Sequence, residues 1–127
     1  MNLRLQANSI RLRLKRAEVD KLVSTGIVEE RIVLGAGHSD IFHYVLEASS
    51  TVAKPMAVLK NNGMLVQVPV DAVSRWASGD EVGIEEIQFT GDQGRLQILI
   101  EKDFACLNGT TEQNVDTFPN PLVGTKC

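Results

Sequence analysis

The residues with the most chemistry to offer are His38, Asp40 and His43, clustered in His38-Ser39-Asp40-Ile41-Phe42-His43, with Cys106 far downstream. Two imidazoles, a carboxylate and a thiolate form a donor set that a transition metal would accept. The spacing argues against it. Ile41-Phe42-His43 opens an apolar, strand-like run, and residues an odd number of places apart on a strand point to opposite faces. A polar turn residue followed by a solvent-side strand histidine is the simpler reading, and no metal or cofactor is assigned. Cys106 as a nucleophile would need a base or a helix N-terminus to lower its pKa. It instead follows a predicted strand between Phe104 and Leu107, where a free thiol behaves as a small hydrophobe.

Gly35-Ala36-Gly37-His38 has the composition of a phosphate loop, but such loops draw their donors from a following helix, and a strand follows here. The acidic pairs Glu29-Glu30, Asp80-Glu81 and Glu85-Glu86 are adjacent residues, which on a strand diverge rather than converge across a cleft. Ser24, Ser39 and Ser74 lack a nucleophile-elbow context. No catalytic residue is assigned, and the enzyme question stays open.

A basic stripe is more suggestive. Arg11, Arg13 and Lys15 alternate with Ile10, Leu12 and Leu14, with Arg4 and Arg16 nearby and no acidic residue before Glu18. Alternation puts the three cations on one strand face. Turned inward in a closed sheet, that face would line an anion-binding tunnel, opposite Glu29 and Arg31 of a later strand. Turned outward, it is a solvated face with cross-strand pairs to glutamates. Arg11, Arg13 and Lys15 are therefore the candidate ligand-binding residues. For contacts with a partner the candidates are Trp76, the largest apolar side chain, and Phe118, set beside prolines in Phe118-Pro119-Asn120-Pro121.

The elements that must position these residues are legible in the periodicity. Ala57-Val58-Leu59 and Met64-Leu65-Val66-Gln67-Val68 flank Lys60-Asn61-Asn62-Gly63, a hairpin whose turn residues tolerate positive φ. Alternation over residues 3–14 changes phase at Asn8-Ser9, giving two short strand segments on one edge. Residues 15–25 carry apolar positions at helical spacing, and Gly26 supplies a left-handed stop. Strands are predicted over 27–34, 41–47, 82–89 and 95–101, and a second short helix over 70–77 after Pro69. Pro55 marks an edge strand. No internal repeat is visible in the letters. These elements predict an α+β fold: a mainly antiparallel sheet of about seven strands, able to curl into a barrel, with two short helices. Residues 1–103 form the expected domain and 104–127 an irregular tail packed on it.

Size and charge exclude several classes. The chain has 127 residues, enough for one core, with 43% hydrophobic and 23% charged residues, which is ordinary globular usage. A net charge of −3 and a pI near 5.3 disfavour a general nucleic-acid binder. No apolar run approaches a membrane span, and nothing at the N-terminus reads as a signal peptide. With only Cys106 and Cys127 present, reduced thiols and a cytoplasmic location are expected.

The stretches Asn8-Ser9-Ile10-Arg11-Leu12-Arg13-Leu14, Val68-Pro69 leading to Trp76-Ala77, Glu101-Lys102-Asp103-Phe104-Ala105-Cys106-Leu107 and Phe118-Pro119-Asn120-Pro121 together resemble a family of small bacterial proteins of unknown function. The resemblance runs along most of the chain and implies a bacterial, cytoplasmic, single-domain protein. It brings no activity with it. The function expected from the residues is a non-enzymatic binding or interaction module, self-associating or joined to a protein partner. The alternative is a small enzyme or ligand-binding barrel that takes an anionic small molecule on the basic strand face.

Overall fold

The computed structural model describes residues 1–103 and 116–118. Along the chain come β1 (Asn2–Gln6), β2 (Ser9–Leu14), α1 (Arg16–Thr25), β3 (Ile27–Val33), β4 (Ile41–Ser49), β5 (Met56–Leu59), β6 (Gly63–Pro69), α2 (Val70–Ser78), β7 (Gly83–Phe89) and β8 (Arg95–Lys102), with a 3-10 turn at Gly91–Gln93. Local chemistry sets most of these boundaries. Gly26 ends α1 at φ 82° and donates its N–H to the Leu22 carbonyl at 2.9 Å, a left-handed cap that glycine adopts without strain. At the other end Glu18 reaches back to the Lys15 N–H at 2.9 Å, satisfying a donor that the first helical turn leaves free. Asn61 and Asn62, at φ 46° and 60°, form the β5–β6 turn as the sequence predicts.

The strands pair differently from a simple antiparallel sheet. Among the described residues eight strands form two four-stranded mixed sheets, β1-β2-β8-β7 and β3-β4-β6-β5, and no ladder closes them into a barrel. Each sheet is two antiparallel hairpins joined side by side through a parallel pair, β2 with β8 and β4 with β6. The segment over 3–14 folds as a hairpin turned at Ala7, φ 50°. Of these two strands β1 lies at an edge and β2 is interior, so the segment does not form one edge. Alternation fixes which face of a strand is apolar but is silent on which strand lies beside it, so the parallel joins were not legible. Where β7 passes β5, the Gln88 side chain stands in for a ladder, accepting from the Ala57 N–H at 2.7 Å and donating to the Ala57 carbonyl at 3.0 Å.

The pairing exposes an internal duplication. The offset that carries Leu12 onto Val66 also carries Leu14 onto Val68, Val19 onto Val73, Leu22 onto Trp76 and Leu46 onto Ile100, all of them buried. It carries the β2–β8 pair Arg13 with Glu101 onto the β4–β6 pair Gln67 with Glu47. The same offset relates the loop bonds Gln97 N–H to the Asn8 carbonyl (3.1 Å) and His43 N–H to the Asn62 carbonyl (3.2 Å). The chain is thus two hairpin–helix–hairpin halves, each lending one hairpin to each sheet. The letters hide this because most core positions match in burial rather than in identity, Val19 and Val73 excepted, with Trp76 standing where the first half has Leu22.

Side chains from both sheets and both helices meet in one hydrophobic core, with Leu12, Leu14, Leu22, Leu46, Val66, Val68, Trp76, Ile98 and Ile100 fully buried. Trp76 satisfies its indole N–H on the Val82 carbonyl at 3.1 Å, as a buried tryptophan must. Among the described residues no helix is long and apolar enough to cross a membrane.

Candidate functional site

Because Ile10, Leu12 and Leu14 of β2 fill the core, Arg11 and Arg13 must face the other way, onto the outer surface of the first sheet. The register then brings two further charges to that surface. Arg4 of β1 lies directly opposite Arg11, and Glu101 of β8 lies opposite Arg13. Arg11 and Arg13 converge on Glu101: both Nε atoms donate to its Oε1 at 2.6 Å, and the Arg11 Nη2 comes to 2.5 Å. The Glu101 side chain is 11% exposed, and those of Arg11 and Arg13 are 32% and 37% exposed. Partial burial pushes the Glu101 carboxyl pKa up, but the hydrogen bonds and positive charge of Arg11 and Arg13 outweigh it and hold the group below the usual glutamate value.

Arg4 has no carboxylate partner among the described residues, so Arg4, Arg11 and Arg13 surround one paired carboxylate, Glu101, while Glu85 on the same face accepts from Gln97 at 3.0 Å. Two shallow depressions flank Arg4 and Arg11. One, about 160 Å³, is lined by Arg4, Gln6, Ser9, Arg11, Gln97 and Leu99, and the other, about 170 Å³, by Asn2, Leu3, Arg4, Arg11 and Arg13. The basic stripe therefore lies on an open outer face, and the tunnel arrangement does not form.

The remaining sequence candidates fall in different places. Lys15 sits past the end of β2 at the N-cap of α1 and lines neither depression. Trp76 is fully buried in the core and has no surface to present to a partner. Phe118 is used within its own chain: it packs against the core, lies under the Arg16 and Lys102 cations at 5.6 and 5.5 Å, and donates its N–H to the Asp103 carbonyl at 2.8 Å. Nearby, Asp116 accepts the Arg16 N–H at 3.0 Å through its carbonyl and the Ala17 N–H at 3.2 Å through its carboxylate, tying this part of the tail to the start of α1.

Asp40 folds the 34–40 loop by accepting the Gly37 N–H at 3.0 Å, so Gly35-Ala36-Gly37-His38 is a turn. His43 faces outward opposite Arg31. Among the described residues no group of three His, Cys, Asp or Glu side chains converges on a metal-sized point. Cys106 and Cys127 lie outside the described residues.

Residue reasoning on β2 found Arg11 and Arg13 but missed the two groups that make the surface specific. Arg4 could have been found from its alternation with Leu3 and Leu5. Glu101 could not, because nothing local says that β8 runs beside β2. The duplication sharpens the contrast between the two outer faces: the positions of Arg4 and Arg11 are taken in the other half by Val58 and Leu65. The cationic pair of one outer face is thus an apolar pair on its counterpart, although that counterpart keeps polar groups at His43, Glu47 and Gln67.

A family model matches residues 1–122, that of a family of unknown function, DUF7009. No curated protein and no solved structure matches the chain significantly.

Proposed function

Since the chain belongs to the DUF7009 family, whose function is unknown, its role has to be read from its own side chains, and we propose a non-enzymatic binding module that takes an anionic small molecule on the outer face of its first sheet. The observation that carries this reading is Arg4 standing opposite Arg11. Like charges directly across a strand pair cost stability, and Arg11 is already committed to Glu101 together with Arg13. Arg4 remains the excess charge, beside depressions large enough for a carboxylate or phosphate group. A guanidinium fork suits either group, since it offers two parallel donors to planar oxygens. Lys15 plays no part in this reading.

The test is calorimetric titration of the whole chain with citrate and with inorganic pyrophosphate at low ionic strength, where surface electrostatics is least screened. One of the two anions is expected to bind, with affinity falling about tenfold in Arg4→Ala, as the loss of one charge-assisted contact implies. Absence of heat with both anions, or binding unchanged in Arg4→Ala, would refute the proposal.

A further inference from the structure

Among the described residues each sheet leaves two strands with a free side, and they are not equivalent. On β1 the only charged residue is Arg4, β7 carries only the acids Glu85 and Glu86, and β5 spans Met56–Leu59 with no charge. The edge strand β3, Ile27-Val28-Glu29-Glu30-Arg31-Ile32-Val33, alone carries both signs. It also exposes large hydrophobics: Ile27 is 38% exposed, Ile32 45% and Val33 63%. An exposed, apolar edge is a template for another strand unless something covers it.

We propose that a second copy of this chain covers it, with the two β3 strands antiparallel about a twofold axis through Glu30. The sequence is self-complementary in that register. Glu29 meets Arg31 of the second copy twice, Ile27 meets Val33, and Val28 meets Ile32. A twofold axis perpendicular to the sheet keeps each residue on its own face, so only registers that pair odd with odd and even with even are open. The neighbouring ones set Glu29 against Glu29 or Arg31 against Arg31.

The backbone agrees with this register. Leu34 N–H bonds to the Asp40 carbonyl at 2.7 Å and Ala48 N–H to the Gly26 carbonyl at 2.9 Å, one at each end of the β3–β4 ladder. Those bonds set the phase. Val28, Glu30 and Ile32 turn their amide groups toward β4, and Ile27, Glu29, Arg31 and Val33 turn theirs to the free edge. The proposed axis makes Glu29 and Arg31 a hydrogen-bonded pair on each side, joining two copies of the second sheet into one of eight strands. The Thr25 hydroxyl now bonds both the N–H and the carbonyl of Ile27, at 3.4 and 3.0 Å, and yields only if the outermost pair forms. The one unfavourable contact is Glu30 against its own copy at the axis. The Met1 amine, 3.3 Å from the Glu30 carboxylate, offsets part of that charge.

This surface is separate from the anion-binding face and does not depend on it. The test is sedimentation of the whole chain at micromolar concentration, alongside Glu29→Arg, Arg31→Glu and the double variant carrying both changes. The wild type is expected to be a dimer, and each single change should weaken it about tenfold by setting like charges in contact. The double variant should dimerise as the wild type does. Mixing the two single variants should give a one-to-one heterodimer, because positions 29 and 31 then meet opposite charges on both sides of the axis. Both side chains are exposed, so circular dichroism should show each variant folded. A monomeric wild type, a dimer indifferent to the single changes, or single variants that do not pair with one another would overturn the proposal.

Discussion

Glu101→Gln removes the charge that Arg11 and Arg13 share while keeping the shape of the side chain. In the wild type one carboxylate oxygen accepts from both Nε atoms at 2.6 Å. A hydrogen bond to a charged group contributes about 1.5–3 kcal/mol when protected, whereas an exposed ion pair contributes about 0.2–1 kcal/mol. With the carboxylate nearly buried and each guanidinium about a third exposed, the two contacts fall between these limits. The amide oxygen can still accept from the arginines but carries no charge, so the expected loss is about 2 kcal/mol at neutral pH, or roughly 5–10 °C in Tm.

The sign of the pH dependence follows from the lowered pKa of Glu101. The unfolded chain holds its proton up to about pH 4.3, and the folded chain releases it at lower pH. The stabilisation is therefore complete above that value and is lost as pH falls through the folded pKa. Urea denaturation of wild type and Glu101→Gln at neutral pH and below about pH 4 measures both effects. Equal stability at neutral pH, or a gap that does not narrow in acid, would refute this account of the Arg11–Glu101–Arg13 cluster.

Two further predictions concern the second sheet and the N-terminal strand. Gly63→Ala drives a Cβ into the His43 backbone carbonyl. The parallel β4–β6 pair must spread to admit it, at about 2–3 kcal/mol, and a thermal melt like that of the wild type would count against the register. Tyr44→Phe deletes the bond from the Tyr44 hydroxyl to the Met1 carbonyl at 2.9 Å, a loss of about 1 kcal/mol. Burial first, then the charges of Glu30 and Glu18, raise the Tyr44 pKa. The stability it contributes is thus present below about pH 10 and lost as pH rises through the folded pKa. Denaturation at neutral and alkaline pH should show the gap between the two proteins closing in alkali.

Much of the local structure was legible. Gly26 announced the end of α1, Asn61-Asn62-Gly63 the central hairpin, and the alternation of Ile10, Leu12 and Leu14 with Arg11 and Arg13 the two faces of β2. Each of these signals acts within a few residues of itself, through allowed φ or through side-chain period. Trp76 illustrates the limit of such reading. Its size marked it as important, but size alone does not separate a core residue from a contact residue, and burial beneath two sheets settled that it belongs to the core.

Periodicity and turn chemistry place the elements to within a residue or two and say which face of each is apolar, because those depend on backbone sterics and on the periods of helix and strand. The tertiary structure decided which strands are neighbours. Pairing β2 with β8 brings together residues from opposite ends of the chain, and no local signal encodes that choice. From it follow the Glu101 carboxylate held between Arg11 and Arg13, the division into two open sheets, and the duplication that sets Arg4 and Arg11 on one outer face where the other has Val58 and Leu65.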